Sequence, residues 1–316
     1  MFDVLIVGLG AAGYTAAIYT ARYRLQTLLV GAEEGGLGIT AAEVGNWPGD
    51  IEIKGPDLME NFKTHAKSFS EVTHKIARIE KIEKIKGGFR ATFSGGETAE
   101  AKTVILATGS NKRHLNVPGE KEFSGKGVTY CATCDAFFYR GKTVAVVGGG
   151  DSAVEGAAIT AQVAKTVYMI HRRNEFRAEP YWLDRVKSRD NIVFVLERKV
   201  VEIQGKEKVT GLKLDKPFEG KDVLPVDGVF IEIGSSPAGD LAKGLGAAID
   251  ERGFITVDKA MQTSVLGVFA AGDVTTGSNH FAQFVTAAGE GAVAANSVFA
   301  HLSKDGAGEG FMEGGG

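Results

Sequence analysis

Cys131 and Cys134 are the only cysteines among the 316 residues, and they stand two residues apart in the run TYCATCD. A Cys-x-x-Cys pair at this spacing serves thiol–disulfide chemistry or supplies half of a metal site. Zinc would need about four ligands, and none of the six histidines lies close in sequence. In a reducing compartment a structural staple would be out of place, so the pair reads as catalytic. Asp135 follows Cys134 directly. It is the nearby acid and a candidate proton donor for thiol chemistry, with a helix N-cap as the other reading of CDAFFYR.

Two elements must position such a pair, and both are glycine turns. KTVAVVGGGDSAVEGAAITAQVAKTVYMIHRR (Lys142 to Arg173) begins a few residues after Cys134. It reads as a buried strand, a glycine turn, a small-residue helix and a second strand. Gly148 and Gly150 take the first two places of a G-x-G-x-x-G/A turn, Ala153 takes the third, and Asp151 and Ser152 in the same turn are candidate NADPH contacts with the two glycines. The second strand ends in His171, Arg172 and Arg173 instead of an acid, and Arg177 follows in NEFRAEP. Guanidinium groups there pair with a 2′-phosphate that a carboxylate would repel, so this turn is expected to take NADP(H).

The N-terminus repeats the layout in FDVLIVGLGAAGYTAAIYTARY. Gly8 allows the tight turn, Gly10 lets the backbone approach a pyrophosphate, and Gly13 allows helix and strand to pack closely. Free N–H groups at the helix start face the phosphates. TLLVGAEEGG then brings Glu33 or Glu34 to a point about 20 residues beyond the last glycine, where a carboxylate can bind a ribose hydroxyl. An acid here and arginines in the second turn predict different nucleotides for the two.

AKTVILATGS (Ala101 to Ser110) and GVFAAGDVTTGSNHFAQFVTAAGEG, from Gly267, are further strand-and-glycine units. The latter resembles the beginning of the chain more than the middle. The expected fold class is α/β, with two Rossmann-like three-layer nucleotide-binding domains, one inserted in the other. Residues 1–112 and 245–316 form the outer domain and 113–244 the inserted one, with crossings near NKRHLNVPG and SSPAGDLAKGLG. IARIEKIEKIKGG (Ile76 to Gly88) reads as the solvated edge of a strand, and the glycine-rich end from Lys304 as a mobile tail.

Apolar residues at 44%, charged residues at 24% and a net charge of −3 describe an ordinary globular chain with no general attraction to nucleic acid or anionic membranes. No apolar run is long enough to cross a bilayer. MFDVLIVGLG enters a strand at once with no basic leader, so a cytoplasmic protein is expected.

Taken together, GLGAAGYTAAIYTAR, EVGNWPGD, ATGS, CATCD, GGGDSAVE, HRRNEFRAE and GVFAAGDV resemble the low-molecular-weight, flavin-dependent thioredoxin reductases, in family order and over nearly the whole chain. The resemblance implies FAD in the outer domain, NADPH in the inserted one, a homodimer, and thioredoxin or a glutaredoxin-like protein as substrate. It implies FAD contacts from Gly8, Gly10, Gly13, Glu33, Gly35, Gly36, Asn46, Gly109, Gly272, Asp273 and Gln283. Leu37 stands where the family usually has Gln, and Ala282 where it usually has Arg.

Hydride would pass from NADPH to flavin, electrons to a Cys131–Cys134 disulfide, and the dithiol would reduce a partner by exchange. The resemblance gives Cys134 the side facing flavin, Cys131 the attack on the partner, and Asp135 the role of general acid. Because dithiol and nicotinamide serve one flavin, the inserted domain is expected to swing between them. Phe137 and Phe138 are expected either in the core or at the partner-docking surface. An oxidase of small-molecule dithiols on the same scaffold would not need HRRNEFR. A non-catalytic nucleotide-binding redox sensor is the reading from another class.

Overall fold

The computed structural model describes residues 1–306 of the chain. Two compact units divide it: Met1–Asn111 with the segment from Pro237 onward, and Lys112–Ser236 between them. The inserted unit closes at Ser236, earlier than the expected 244. There the outgoing segment pairs with the incoming one: β7 (Ser110–Lys112) and β16 (Ser235–Pro237) form a two-stranded ribbon.

In the outer unit, β1 (Phe2–Leu9) leads into α1 (Ala11–Arg22) and β2 (Thr27–Glu34). Next come α2 (Gly55–Lys67), β3 (Val72–Ile76), β4 (Ile79–Ile85), β5 (Gly88–Phe93) and β6 (Thr98–Leu106). The parallel strands run β3-β2-β1-β6, and β17 (Val268–Ala270) lies along the second half of β6. Val4–Val7 of β1 are buried on both faces, which is why that stretch reads as a continuous apolar run. Val4 and Ile6 pack with α1, α2 and α7 (Phe284–Gly306); Leu5 and Val7 pack on the opposite face with Ile82, Phe89 and Phe93 of the β4–β5 hairpin. α1 is small-residued and buried nearly all round, so α7 can lie closely against it. The alternating charge of Ile79–Ile85 falls on β4 at the sheet edge, with Ile79 and Ile82 inward and the Lys81–Glu83 pair outward.

The inserted unit has its own parallel sheet, β11-β10-β9-β15-β8. In chain order it contains β8 (Val128–Thr129), α3 (Ala132–Asp135), β9 (Thr143–Gly148), α4 (Asp151–Thr160), β10 (Thr166–His171), α5 (Pro180–Lys187) and β11 (Ile192–Leu196). A three-stranded antiparallel sheet follows, β12 (Val200–Gly205), β13 (Val209–Phe218) and β14 (Lys221–Pro225), and then β15 (Gly228–Glu232). Val144 and Val146 pack under α3, α4 and α5, and Ala145 and Val147 against β12–β14, giving a second three-layer core. The outer unit resumes with α6 (Asp240–Gly244) and ends in α7. Lys304–Gly306 are the end of that helix; the rest of the expected tail lies outside the described residues.

Candidate active site

Three segments converge on the first glycine turn. Gly8 has φ of +126°, and a Cβ there would lie 2.0 Å from the Ala107 carbonyl oxygen, so only glycine fits and the ATGS segment abuts the turn. A Cβ at Gly13 would fall 1.9 Å from the Gly8 oxygen, which makes it the close helix–strand contact. Gly10 is different: nothing lies within 4 Å of its Cβ position, and that open space is where a pyrophosphate would approach. Its backbone caps α1 without any side-chain bond, leaving the first amides of the helix for an anion. Gly36 reaches the same place, since its Cβ would come 3.7 Å from Gly10 Cα, and a Cβ on Gly272 would lie 3.0 Å from Ala12 Cβ.

The two acids at the end of β2 separate clearly. Glu34 pairs with Lys63 at 3.2 Å and with His74 at 3.6 Å, whereas Glu33 is exposed. Gly35 N–H donates to the Leu9 carbonyl, fastening the acid loop to the turn. Asn46 Nδ2 donates to Gln283 Oε1 at 3.0 Å, so two expected flavin contacts from distant segments meet. Gly109 accepts the Ala238 N–H. Glu290, buried on α7, accepts the Gly272 N–H and the Thr275 hydroxyl, each at 2.8 Å, and so fixes the Gly272–Asp273 turn. Burial, reinforced by Glu290, pushes the Asp273 carboxyl above the usual range.

The second turn repeats the geometry in the inserted unit. Gly148 has φ of +155° and a Cβ there would lie 2.1 Å from the Glu232 carbonyl oxygen, while Gly150 faces open space. Ala153 occupies the third position and is buried. Asp151 Oδ1 accepts the Glu179 N–H at 2.7 Å, and Arg177 N–H donates to the Gly149 carbonyl at 2.8 Å. These bonds fold the arginine-bearing loop back beside the turn. Ser152, Arg172, Arg173 and Arg177 are exposed. His171 is not: it is buried beside Gly149 and stacks on Phe176 at 5.3 Å. Burial holds its pKa below the usual value and the three arginines add to that, against a backbone hydrogen bond at Glu175. The imidazole points inward and braces the turn, while the three arginines stay exposed.

Cys131 and Cys134 form a disulfide with Cα atoms 5.4 Å apart. Cys131 caps α3, and its Sγ accepts the Cys134 N–H at 3.1 Å; the Cys134 side is the more exposed. Asp135 makes no cap bond to the 3-10 turn Ala136–Tyr139; its carboxylate accepts the Thr129 hydroxyl instead. Thr129 also accepts the Cys131 N–H at 3.3 Å, so one hydroxyl ties the acid to the first cysteine. Phe137 and Phe138 are 67% and 70% exposed, and so are not core residues of their unit.

Thr129, Glu232 and Glu290 are site residues that sequence reasoning missed. For the two glutamates a signal existed: each is a lone acid in an apolar or small-residue run, GVFIEIG and VTAAGEGAVAAN.

The chain belongs to the pyridine nucleotide-disulphide oxidoreductases, whose family profile it matches over residues 2–291. Within them its likeness is to low-molecular-weight thioredoxin reductases. It is 42% identical over 298 residues to a thioredoxin reductase of Mycolicibacterium smegmatis, spanning 92% of this chain and 94% of that one. The crystal structure of Lactococcus lactis thioredoxin reductase superposes with a TM-score of 0.90 at 34% identity, over 96% of this chain and 100% of the other. A Pseudomonas fluorescens protein named glucosaminate ammonia-lyase is also 42% identical, over 92% of this chain and 93% of its own length.

Proposed function

We propose that the protein is an NADPH-dependent flavoprotein disulfide reductase acting on thioredoxin or a glutaredoxin-like protein. The observation that carries this is the Cys131–Cys134 disulfide at the start of α3, with the Cys134 amide on Cys131 Sγ and Asp135 fastened to the same hydroxyl as the Cys131 amide. A lyase has no use for that dithiol.

The outer unit fits FAD. Gly10 leaves the room a pyrophosphate needs at the start of α1, exposed Glu33 would take the ribose, and the Asn46–Gln283 pair and the Gly272–Asp273 turn would complete the set. The inserted unit fits NADPH: Gly150 gives the same room, and Arg172, Arg173 and Arg177 supply the charge for a 2′-phosphate. Bound in the outer unit, FAD would supply two-electron chemistry between NADPH and a disulfide.

The chain's own residues do the rest. In the reduced pair Cys131 is the attacking sulfur, reacting as its thiolate, with the Cys134 N–H directed at its Sγ. That thiolate attacks one sulfur of the partner's disulfide; the partner's S–S bond breaks and a mixed disulfide forms. Cys134, as thiolate, then attacks Cys131 Sγ, the intramolecular disulfide returns and the partner leaves as a dithiol. The two thiol protons of the reduced pair go to the partner's two sulfurs, and Asp135 is the general acid assigned to that chemistry. The family's pattern adds a homodimer in the cytoplasm; no helix among the described residues is long and apolar enough to cross a membrane.

The test supplies NADPH and oxidised thioredoxin to the purified protein and follows free thiol. Catalytic thiol release is expected, lost in Cys131→Ser while NADPH still bleaches the flavin. Release of ammonia from glucosaminate without thiol release would refute the assignment, and thiol release by Cys131→Ser would refute the role of that cysteine.

A further inference from the structure

Glu290 is the only acid in the α7 run VTAAGEGAVAAN and is 6% exposed. Its Oε2 accepts two hydrogen bonds from a single loop, the Gly272 N–H and the Thr275 hydroxyl, both buried and both at 2.8 Å. Thr275 Oγ1 in turn accepts the Gly277 N–H at 3.0 Å. A Cβ on Gly277 would lie 2.4 Å from Glu290 Oε1, so the same loop encloses the second oxygen. One buried side chain thus gathers residues 272–277, the loop that carries Asp273. The exchange steps described above use none of these bonds.

The next residue of α7 fixes where that loop is held. Gly291 has no room for a side chain, since a Cβ there would lie 2.3 Å from the Ala12 carbonyl oxygen. A Cβ on Gly272 would stand 3.0 Å from Ala12 Cβ. Ala12 belongs to the first turn of α1, two residues past Gly10, whose own Cβ position is open. Two adjacent residues of α7 therefore grip the Gly272 loop and the start of α1 at one point, beside the first glycine turn.

A carboxylate has the same sign as a pyrophosphate, so its charge opposes an anion bound nearby. What an acid offers at this point is geometry: one oxygen, carried on a long helix, that takes two donors of a loop at once. Without that acceptor the Gly272 N–H and the Thr275 hydroxyl would be left buried and unpaired, and the loop would shift to satisfy them. We propose that Glu290 is a positioning residue for FAD, clamping the Gly272–Asp273 loop against the start of α1 and so slowing the escape of the bound cofactor. It acts through Gly272 and Ala12 and is assigned no contact with the cofactor. The inference rests on the outer unit taking FAD, as proposed above.

The experiment dilutes the full-length holoprotein and follows the release of FAD by its fluorescence, with NADP+ binding measured on the same samples by calorimetry. Glu290→Ala should speed release about tenfold. Thr275→Val keeps the Gly272 bond and should speed it about threefold. Glu290→Gln offers an oxygen to the same two donors without the charge, and its release should be within about twofold of wild type or slower. NADP+ affinity should stay within about twofold in all three, because its proposed site belongs to the inserted unit. Release from Glu290→Ala within about twofold of wild type overturns the proposal. So does equal acceleration by Glu290→Gln, which would make charge the property that matters. A parallel loss of NADP+ affinity, the mark of a general loss of structure, overturns it as well. Should Glu290→Ala not fold, Thr275→Val decides: faster release supports the clamp and a wild-type rate refutes it. Failure of the flavin reading itself shows elsewhere, as a wild-type protein that carries no FAD and takes up none.

Discussion

Arg172 and His171 are neighbours in sequence and opposites in environment. The arginine is exposed beside the second glycine turn, and the histidine is buried under it. Arg172→Ala is expected to raise KM for NADPH about tenfold while leaving NADH little changed, as loss of a charged hydrogen bond to a 2′-phosphate requires. Steady-state kinetics with both donors checks it, and equal effects would show that Arg172 does not read that phosphate. His171 predicts a pH effect. Its folded pKa lies below the unfolded value of 6.5, so the unfolded chain binds more protons as pH falls through that region. The stability it contributes is present above about pH 6.5 and is lost as pH drops toward the lower, folded pKa. His74, held low chiefly by burial, acts in the same direction. Denaturant midpoints should fall between about pH 7 and pH 5, and His171→Asn should flatten that fall. An unchanged slope would mean that the imidazole is not titrating against its burial.

At the scale of elements, the glycine turns separate fold from binding. Gly148→Ala places a Cβ 2.1 Å from a backbone oxygen at φ of +155°, so it should cost about 2 kcal/mol or more of stability. Gly150→Ala meets nothing within 4 Å and should leave the melting temperature unchanged while weakening NADPH binding about tenfold. Calorimetry on both variants, with and without NADPH, separates the two effects; equal melting shifts would contradict the assignment. These turns were legible in the sequence because each is local: strand, glycine and helix lie within about 30 residues. So was the choice between neighbouring acids narrowed to Glu33 or Glu34, although only packing shows that Glu34 is committed to Lys63 and His74. The burial of His171 was not legible, because HRR reads as one basic strand end until β10 closes over Gly149. Nor was the bond of Asp135 to Thr129 visible, since an acid after a helix start reads equally as a cap.

At the scale of the whole molecule, an insertion with two crossings was read from the likeness of the C-terminal segment to the N-terminal one. What the sequence hides at this scale is pairing between distant residues. Lys112 and Glu232 are 120 positions apart, and Asn46 and Gln283 are 237 apart. No local pattern encodes such contacts; they follow from which strands end side by side. The nicotinamide and dithiol functions are both proposed for the inserted unit and the flavin for the outer one. We propose that the inserted unit moves as a body between two duties, so a bifunctional crosslink between the units should stop multiple turnover yet spare one reductive half-reaction. Unchanged turnover after crosslinking would refute that motion.

On the function proposed above, electron pairs from NADPH come to rest on the Cys131–Cys134 disulfide. An anaerobic NADPH titration of the holoprotein tests it most directly. About two equivalents should be consumed per protomer by wild type, one for flavin and one for the disulfide, and about one by Cys131→Ser. Equal consumption by both proteins, with no free thiol appearing in wild type, would show that the disulfide is not the electron acceptor.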